Sequence, residues 1–166
     1  MSLILFFKNQ LQKESLATKK MLERIPGDKF EWQPHAKSMK LGILAIHVAE
    51  LPTWIGMVLN TSELDFAANS WQPAPIITTE DLLKFFEKNL EEGLSQLSNA
   101  KEKQLHELWT MRNGDEIYLT ETKEDFLRTT LSQIIHHRAQ LGVYLRLLDI
   151  PIPASYGPSA DEPSFS

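Results

Sequence analysis

The chain has 166 residues, 42% of them hydrophobic and 23% charged, with a formal net charge of -5 and no cysteine. That length fits one globular domain, residues 1–166, able to bury roughly 70% of the surface its unfolded chain exposes. The acidic balance and the lack of a Lys/Arg cluster argue against a nucleic-acid footprint, which needs a basic stripe. Without cysteine there is no disulfide, no thiolate metal site and no cysteine nucleophile.

The N-terminal run MSLILFF has no preceding basic residues and no cleavage site, and it flows into a helical pattern, so the expectation is a mature cytoplasmic protein. No apolar segment reaches about 18 residues, so no membrane span is expected. Leu3, Phe7, Leu11, Met21 and Ile25 keep a helical period across residues 2–24, and Pro26-Gly27 ends it. Glu14 and Thr18 interrupt that stripe. Either the Glu14 carboxylate projects inward or it sits at the stripe margin and reaches water, the commoner fate of a lone glutamate. An aromatic connection follows, with Trp32 covering the edge of the core and Ser38 as N-cap of the next helix.

The second helix spans Leu41 to Asn60 and places His47 inside the stripe Leu44, Leu51, Trp54 or Ile55, Val58. A histidine there is more often a hydrogen-bonded core residue than a ligand. Pro52 removes the backbone bond to Val48 and should kink the helix just past His47. Glu50, three residues on from His47, either reaches the same site or faces solvent. Residues 62–75 read as a loop that forms a lid or wraps the helices.

Thr78 and Asp81 offer a capping box for a third helix ending near Asn99, whose Glu and Lys residues form a solvated face. Asn113-Gly114, between residues of high β propensity, signals a hairpin between the third and fourth helices. Thr122 and Asp125 repeat the capping spacing and start a final helix of about 27 residues, roughly 40 Å long. Its stripe carries Phe126, Thr130, Gln133, His137, Tyr144 and Leu148. Gln133 and His137, four apart, stand one above the other, a spacing by which two side chains can grip one ion. His136 points about 100° away from His137. Composition alone makes residues 151–166 a disordered tail, whereas Tyr156-Gly157-Pro158 looks like an ordered turn.

Facing helices would bring His47 and His137 together in the core. Two neutral imidazoles, a third ligand and an open water position describe a catalytic zinc- or nickel-type site. Gln133 supplies only a weak amide oxygen, and His136 has the chemistry but the wrong direction. Glu14 or Glu50 would complete the site or act as acceptors that fix the imidazole tautomers.

Lys37-Ser38-Met39, Leu41-Gly42, His47-Val48-Ala49-Glu50-Leu51-Pro52, His136-His137-Arg138-Ala139-Gln140-Leu141, Tyr144-Leu145-Arg146 and Tyr156-Gly157-Pro158-Ser159-Ala160-Asp161-Glu162 together resemble the DinB family over nearly the whole chain. The resemblance implies an all-α, four-helix bundle of the DinB/YfiT-like kind, on which the tail from residue 151 packs. It also implies a divalent metal held by His47, Gln133 and His137, with glutamine standing where the family usually shows histidine. Relatives in this superfamily include metal-dependent transferases using low-molecular-weight thiols. A thiol S-transferase or hydrolase acting in stress response or detoxification on a small molecule is therefore expected. The alternative is a metal-poor bundle that binds ligands or partners, with an apolar pocket near Trp54 and Tyr144. Arg138 would guide an anionic thiol or, the favoured reading, pair with a surface carboxylate. A homodimer would use an exposed face carrying Trp71 or Trp109.

Overall fold

The computed structural model describes residues 2–164. Four long helices carry most of the chain: α1 (Leu3–Leu22), α2 (Leu41–Asn60), α3 (Thr79–Asn99) and α4 (Lys123–Leu147). The Ser2, Thr78 and Thr122 side chains accept from the backbone amides of Leu5, Asp81 and Asp125, so each of these three helices starts at a capping hydroxyl. Helix α2 starts differently. Ser38 is not its cap: Lys40 precedes Leu41 without a side-chain capping bond. The amides of Leu41 and Gly42 donate instead to the carbonyls of Trp32 and Phe30, so the aromatic connection folds back to satisfy the first turn. Gly42 permits this approach, since a Cβ there would lie 2.5 Å from the Phe30 ring.

Helices α1 and α2 each pack against α3 and α4 and face one another across the diagonal. Helix α2 supplies the centre of the core. Its first half, with Leu41, Leu44 and Val48, packs with Leu22, Ile25, Leu141 and Leu145. Its second half, with Leu51, Ile55 and Val58, packs with Leu11, Leu97, Trp109 and Ile134. The helix runs on through Pro52. There the buried Asn89 amide donates to the Ala49 carbonyl at 3.0 Å, and Gly93 lets α3 come so near that a Cβ would sit 2.6 Å from the Pro52 carbonyl oxygen. Contrary to the expectation from sequence, α2 is long and apolar enough by length and composition to cross a membrane, with a mean hydropathy of 1.6 over its best window. Here 67% of that window is buried inside the fold, as in a core helix.

A three-stranded sheet accompanies the helices, in the order β1 (Glu63–Asp65), β2 (Leu108–Asn113), β3 (Glu116–Thr122). Strands β2 and β3 form the expected antiparallel hairpin, with the loop one residue later than the Asn-Gly signal suggests. Asn113 pairs with Glu116, leaving Gly114 and Asp115 to turn. Gly114 has φ +59°, as the first central position of a II′ hairpin requires. Strand β1 lies in the connection read as loop and pairs in parallel with β2. Three residues are too few for a period-2 signal, and β1 is secured from outside itself: Arg112 clamps Glu63 at 3.0 and 2.8 Å and reaches Asp65 at 2.9 Å.

Trp109 is buried at 1% exposure, stacked edge-on against Phe126 at 4.4 Å and donating to the Thr61 hydroxyl. It belongs to the core and not to an exposed dimer face. Lys123, also buried, donates to the Leu59 carbonyl at the end of α2 and to Glu107. After α4, residues 148–164 pack back against the helices without regular structure. The Ser159 hydroxyl donates to the Ile152 carbonyl and accepts from the Asp161 and Glu162 amides. Asp161 pairs with Arg146, and Glu162 with Arg24. Of the predicted tail, 165 and 166 lie outside the described residues, as does residue 1 of the predicted domain.

Candidate functional site

His47 on α2 and His137 on α4 meet edge to face, with ring centroids 4.8 Å apart. Each imidazole has its Nδ1 engaged three residues along its own helix. His47 Nδ1 lies 2.8 Å from Glu50 Oε1, and a carboxylate only accepts, so that nitrogen carries the proton. His137 Nδ1 lies 2.8 Å from Gln140 Oε1 and donates in the same way. In the neutral form of each ring this leaves Nε2 as the lone-pair nitrogen, the tautomer of a metal ligand or a general base. Burial pushes the His137 imidazole below its ordinary value; the Gln140 hydrogen bond opposes this, and neighbouring His47 and His136 add to it.

Glu50 Oε1 has a second donor. The Trp71 indole N–H reaches it at 2.7 Å from the connection between β1 and α3. One carboxylate oxygen therefore joins His47 to an exposed tryptophan of the segment expected to act as a lid or wrap. The Trp71 and Trp54 rings each stand 6.0 Å from the His47 ring. With His137, three aromatic rings surround one imidazole.

Each histidine lines a different cavity, and Met39 lines both. On the His47 side is a cavity of about 340 Å³ formed with Trp54, Met57, Leu64, Phe66 and Trp71. On the His137 side is one of about 210 Å³ that includes Gln140 and Tyr144. Trp54 and Tyr144, expected from sequence to share one pocket, thus line different ones. Gln133 lines a third cavity of about 170 Å³, which shares Trp54 and Phe66 with the first. His136 is exposed, its ring 4.9 Å from that of His137.

Glu14 is placed elsewhere. Its buried carboxylate pairs with Arg138 at 2.8 Å and accepts from the Tyr156 hydroxyl at 2.7 Å. Among the described residues no hydrogen bond joins it to either imidazole. Arg138 also donates to the Glu14 carbonyl and the Thr18 hydroxyl. The favoured sequence reading of Arg138, a surface partner, is corrected here, because its side chain is 4% exposed and its partner is buried. Sequence reasoning gave Trp71 to an exposed dimer face and missed its bond to Glu50, which no periodicity could reveal from a segment without regular structure.

Solved structures that share this fold include three DinB-like proteins. A DinB-like protein from Bacillus subtilis is 19% identical with a TM-score of 0.69, covering 90% of this chain and 96% of that one. A DinB-like protein from Bacillus cereus is 18% identical with a TM-score of 0.70, covering 90% and 95%. A protein from Exiguobacterium sibiricum described as of the DinB family is 16% identical with a TM-score of 0.67, covering 93% and 97%. No curated protein matches the chain. The model of the DinB family matches residues 3–164, from the first turn of α1 to the docked tail, and the chain belongs to that family.

Proposed function

We propose that the protein is a divalent-metal-dependent DinB enzyme acting on a small molecule, with the ion held by His47 and His137. The observation that carries the reading is the imidazole pair at 4.8 Å whose Nδ1 atoms are both engaged, leaving two Nε2 lone pairs free. Among the described residues no group of three His, Cys, Asp or Glu side chains is arranged to hold an ion. The donors that would hold the ion are therefore the two imidazoles; Gln133, the third ligand that the family resemblance implies, lines a neighbouring cavity that contains neither histidine. Such an ion, zinc or nickel by ligand type, supplies the Lewis acidity that lowers the pKa of a bound thiol or water.

Glu50 and Gln140 hold the ring tautomers, Trp71 and Trp54 exclude water from one side of His47, and the adjoining cavity receives the substrate. The reactions this supports are transfer of a low-molecular-weight thiol to an electrophile and hydrolysis, in stress response or detoxification in the cytoplasm. The second reading is a metal-poor ligand-binding module, favoured by the missing third strong donor.

Elemental analysis of protein purified without a chelating tag tests the proposal. We expect wild type to take up zinc or nickel weakly and lose it to a chelator, Gln133→His to hold about one ion per chain, and His47→Ala to hold none. Uptake by His47→Ala equal to wild type, or no uptake by either wild type or Gln133→His, would overturn the metal reading in favour of the second.

A further inference from the structure

The cavity beside His47 has a composition that selects its occupant. Met39, Trp54, Met57, Leu64, Phe66 and Trp71 give it apolar and aromatic walls, and Asn69 and Ser70 are neutral. Among the described residues no lysine, arginine, aspartate or glutamate lines it. An anionic ligand would leave its charge in these walls without a partner, and the Glu50 carboxylate beside His47 and Trp71 would repel it. The net charge of -5 disfavours an anion further. At about 340 Å³ the cavity is roughly twice the 150 Å³ that accommodates one benzene ring in an engineered apolar cavity. A fused two-ring molecule fits that space.

His47 adds one polar requirement. Its Nδ1–H is committed to Glu50, so towards a ligand it offers the Nε2 lone pair, which accepts a hydrogen bond and cannot donate one. A ligand hydroxyl satisfies it directly, and the oxygen of the same hydroxyl suits an ion bound there.

We infer that this cavity binds a fused-ring aromatic molecule that carries one hydroxyl group and no anionic group, with Trp71 as its cover. The inference rests on the reading of the His47 site as a small-molecule site and names the chemical class that the site takes. Trp71 is 43% exposed and tied through one hydrogen bond to Glu50 Oε1, the oxygen that also orients His47. Movement of this one side chain would open the cavity and leave Glu50 Oε1 to His47 alone.

Isothermal titration of 1-naphthol into chelator-treated wild-type protein tests it, with naphthalene and 1-naphthoate as comparison ligands and the series repeated on zinc-loaded protein. We expect 1-naphthol to bind one site per chain, naphthalene about two- to tenfold more weakly for lack of the hydroxyl, and the anionic naphthoate at least about tenfold more weakly. Trp71→Ala, a change at an exposed side chain, should weaken naphthol by about tenfold. In wild type the Trp71 indole N–H resonance, assigned by its loss in Trp71→Ala, should shift on binding. Naphthoate binding as tightly as naphthol, or naphthol failing to bind both metal-free and zinc-loaded protein, would overturn the inference. Binding to the metal-free chain upholds it even where elemental analysis rejects the metal, so the two proposals fail separately.

Discussion

Glu14 and Arg138 meet at 2.8 Å with side chains 8% and 4% exposed, and the Tyr156 hydroxyl closes on the same carboxylate. Taking two charges out of water is expensive, and further hydrogen bonds offset part of that cost: Arg138 Nη1 also donates to the Glu14 carbonyl and the Thr18 hydroxyl. Removing one partner leaves a buried charge with its desolvation cost uncompensated. Arg138→Met is expected to destabilise the fold by about 3–5 kcal/mol in urea denaturation, and Glu14→Gln combined with Arg138→Met to recover much of that loss. A single variant within about 1 kcal/mol of wild type would show that the pair is incidental. At this scale the sequence was half legible. Glu14 and Thr18 stood out as polar residues in an apolar stripe, yet nothing local could show that their partner Arg138 lies 124 and 120 positions away. The histidines were easier, because an inward His on each of two amphipathic helices has few places to go.

The joint between α2 and α3 shows how closely elements are fitted. A Cβ at Gly93 would lie 2.6 Å from the Pro52 carbonyl oxygen, a backbone atom held by its own helix, and 3.4 Å from Leu11. At Gly56 the nearest atom is the Gln96 Cγ at 3.0 Å, part of a flexible side chain. Alanine gains up to about 1 kcal/mol over glycine within a helix, whereas forced separation of packed helices costs about 1–3 kcal/mol. Gly93→Ala is therefore expected to lower stability by about 1–2 kcal/mol, and Gly56→Ala to be neutral or mildly stabilising, in parallel urea melts. Equal effects would mean that α3 can slide to relieve the clash. Helix boundaries were the most legible elements: α2 runs over the Leu41–Asn60 span that periodicity gives. Its start was misassigned to Ser38 because first-turn amides can be satisfied by distant carbonyls as well as by a capping hydroxyl. Strand β1 was invisible because it exists only by pairing.

For the whole molecule, the tail ties the end of the chain to its beginning. Asp161 is held below the usual carboxylate range by the Arg146 guanidinium and then by the Ile152 amide. Tyr156 is pushed above its ordinary value, first by burial and then by its bond to Glu14. For a depressed carboxyl, the folded state binds fewer protons than the unfolded one, so its contribution is complete above the unfolded value near 3.9 and is lost as pH falls through the folded value. For a raised phenol the contribution is complete below about 10 and is lost as pH rises through the folded value. The tail should thus stay docked across neutral pH and loosen below about pH 4 and above about pH 10. Amide protection at Ile152, whose N–H donates to Asp161, should fall on the acid side in wild type, and Asp161→Asn should remove most of that dependence. Protection unchanged from pH 6 to pH 3 in wild type would contradict this.

The sequence by itself determined the four helices, the hairpin, the inward histidines and the family, because amphipathic periods, capping hydroxyls and contiguous motifs are local and survive in the order of residues. Tertiary structure alone decided the burial of Glu14 with Arg138, the placing of Gln133 in a neighbouring cavity, the burial of Trp109 and the closing of Trp71 over Glu50. Each of those depends on which surfaces face one another once the helices pack, and a carboxylate, an amide or an indole pairs with whatever donor or acceptor that packing brings within about 3 Å.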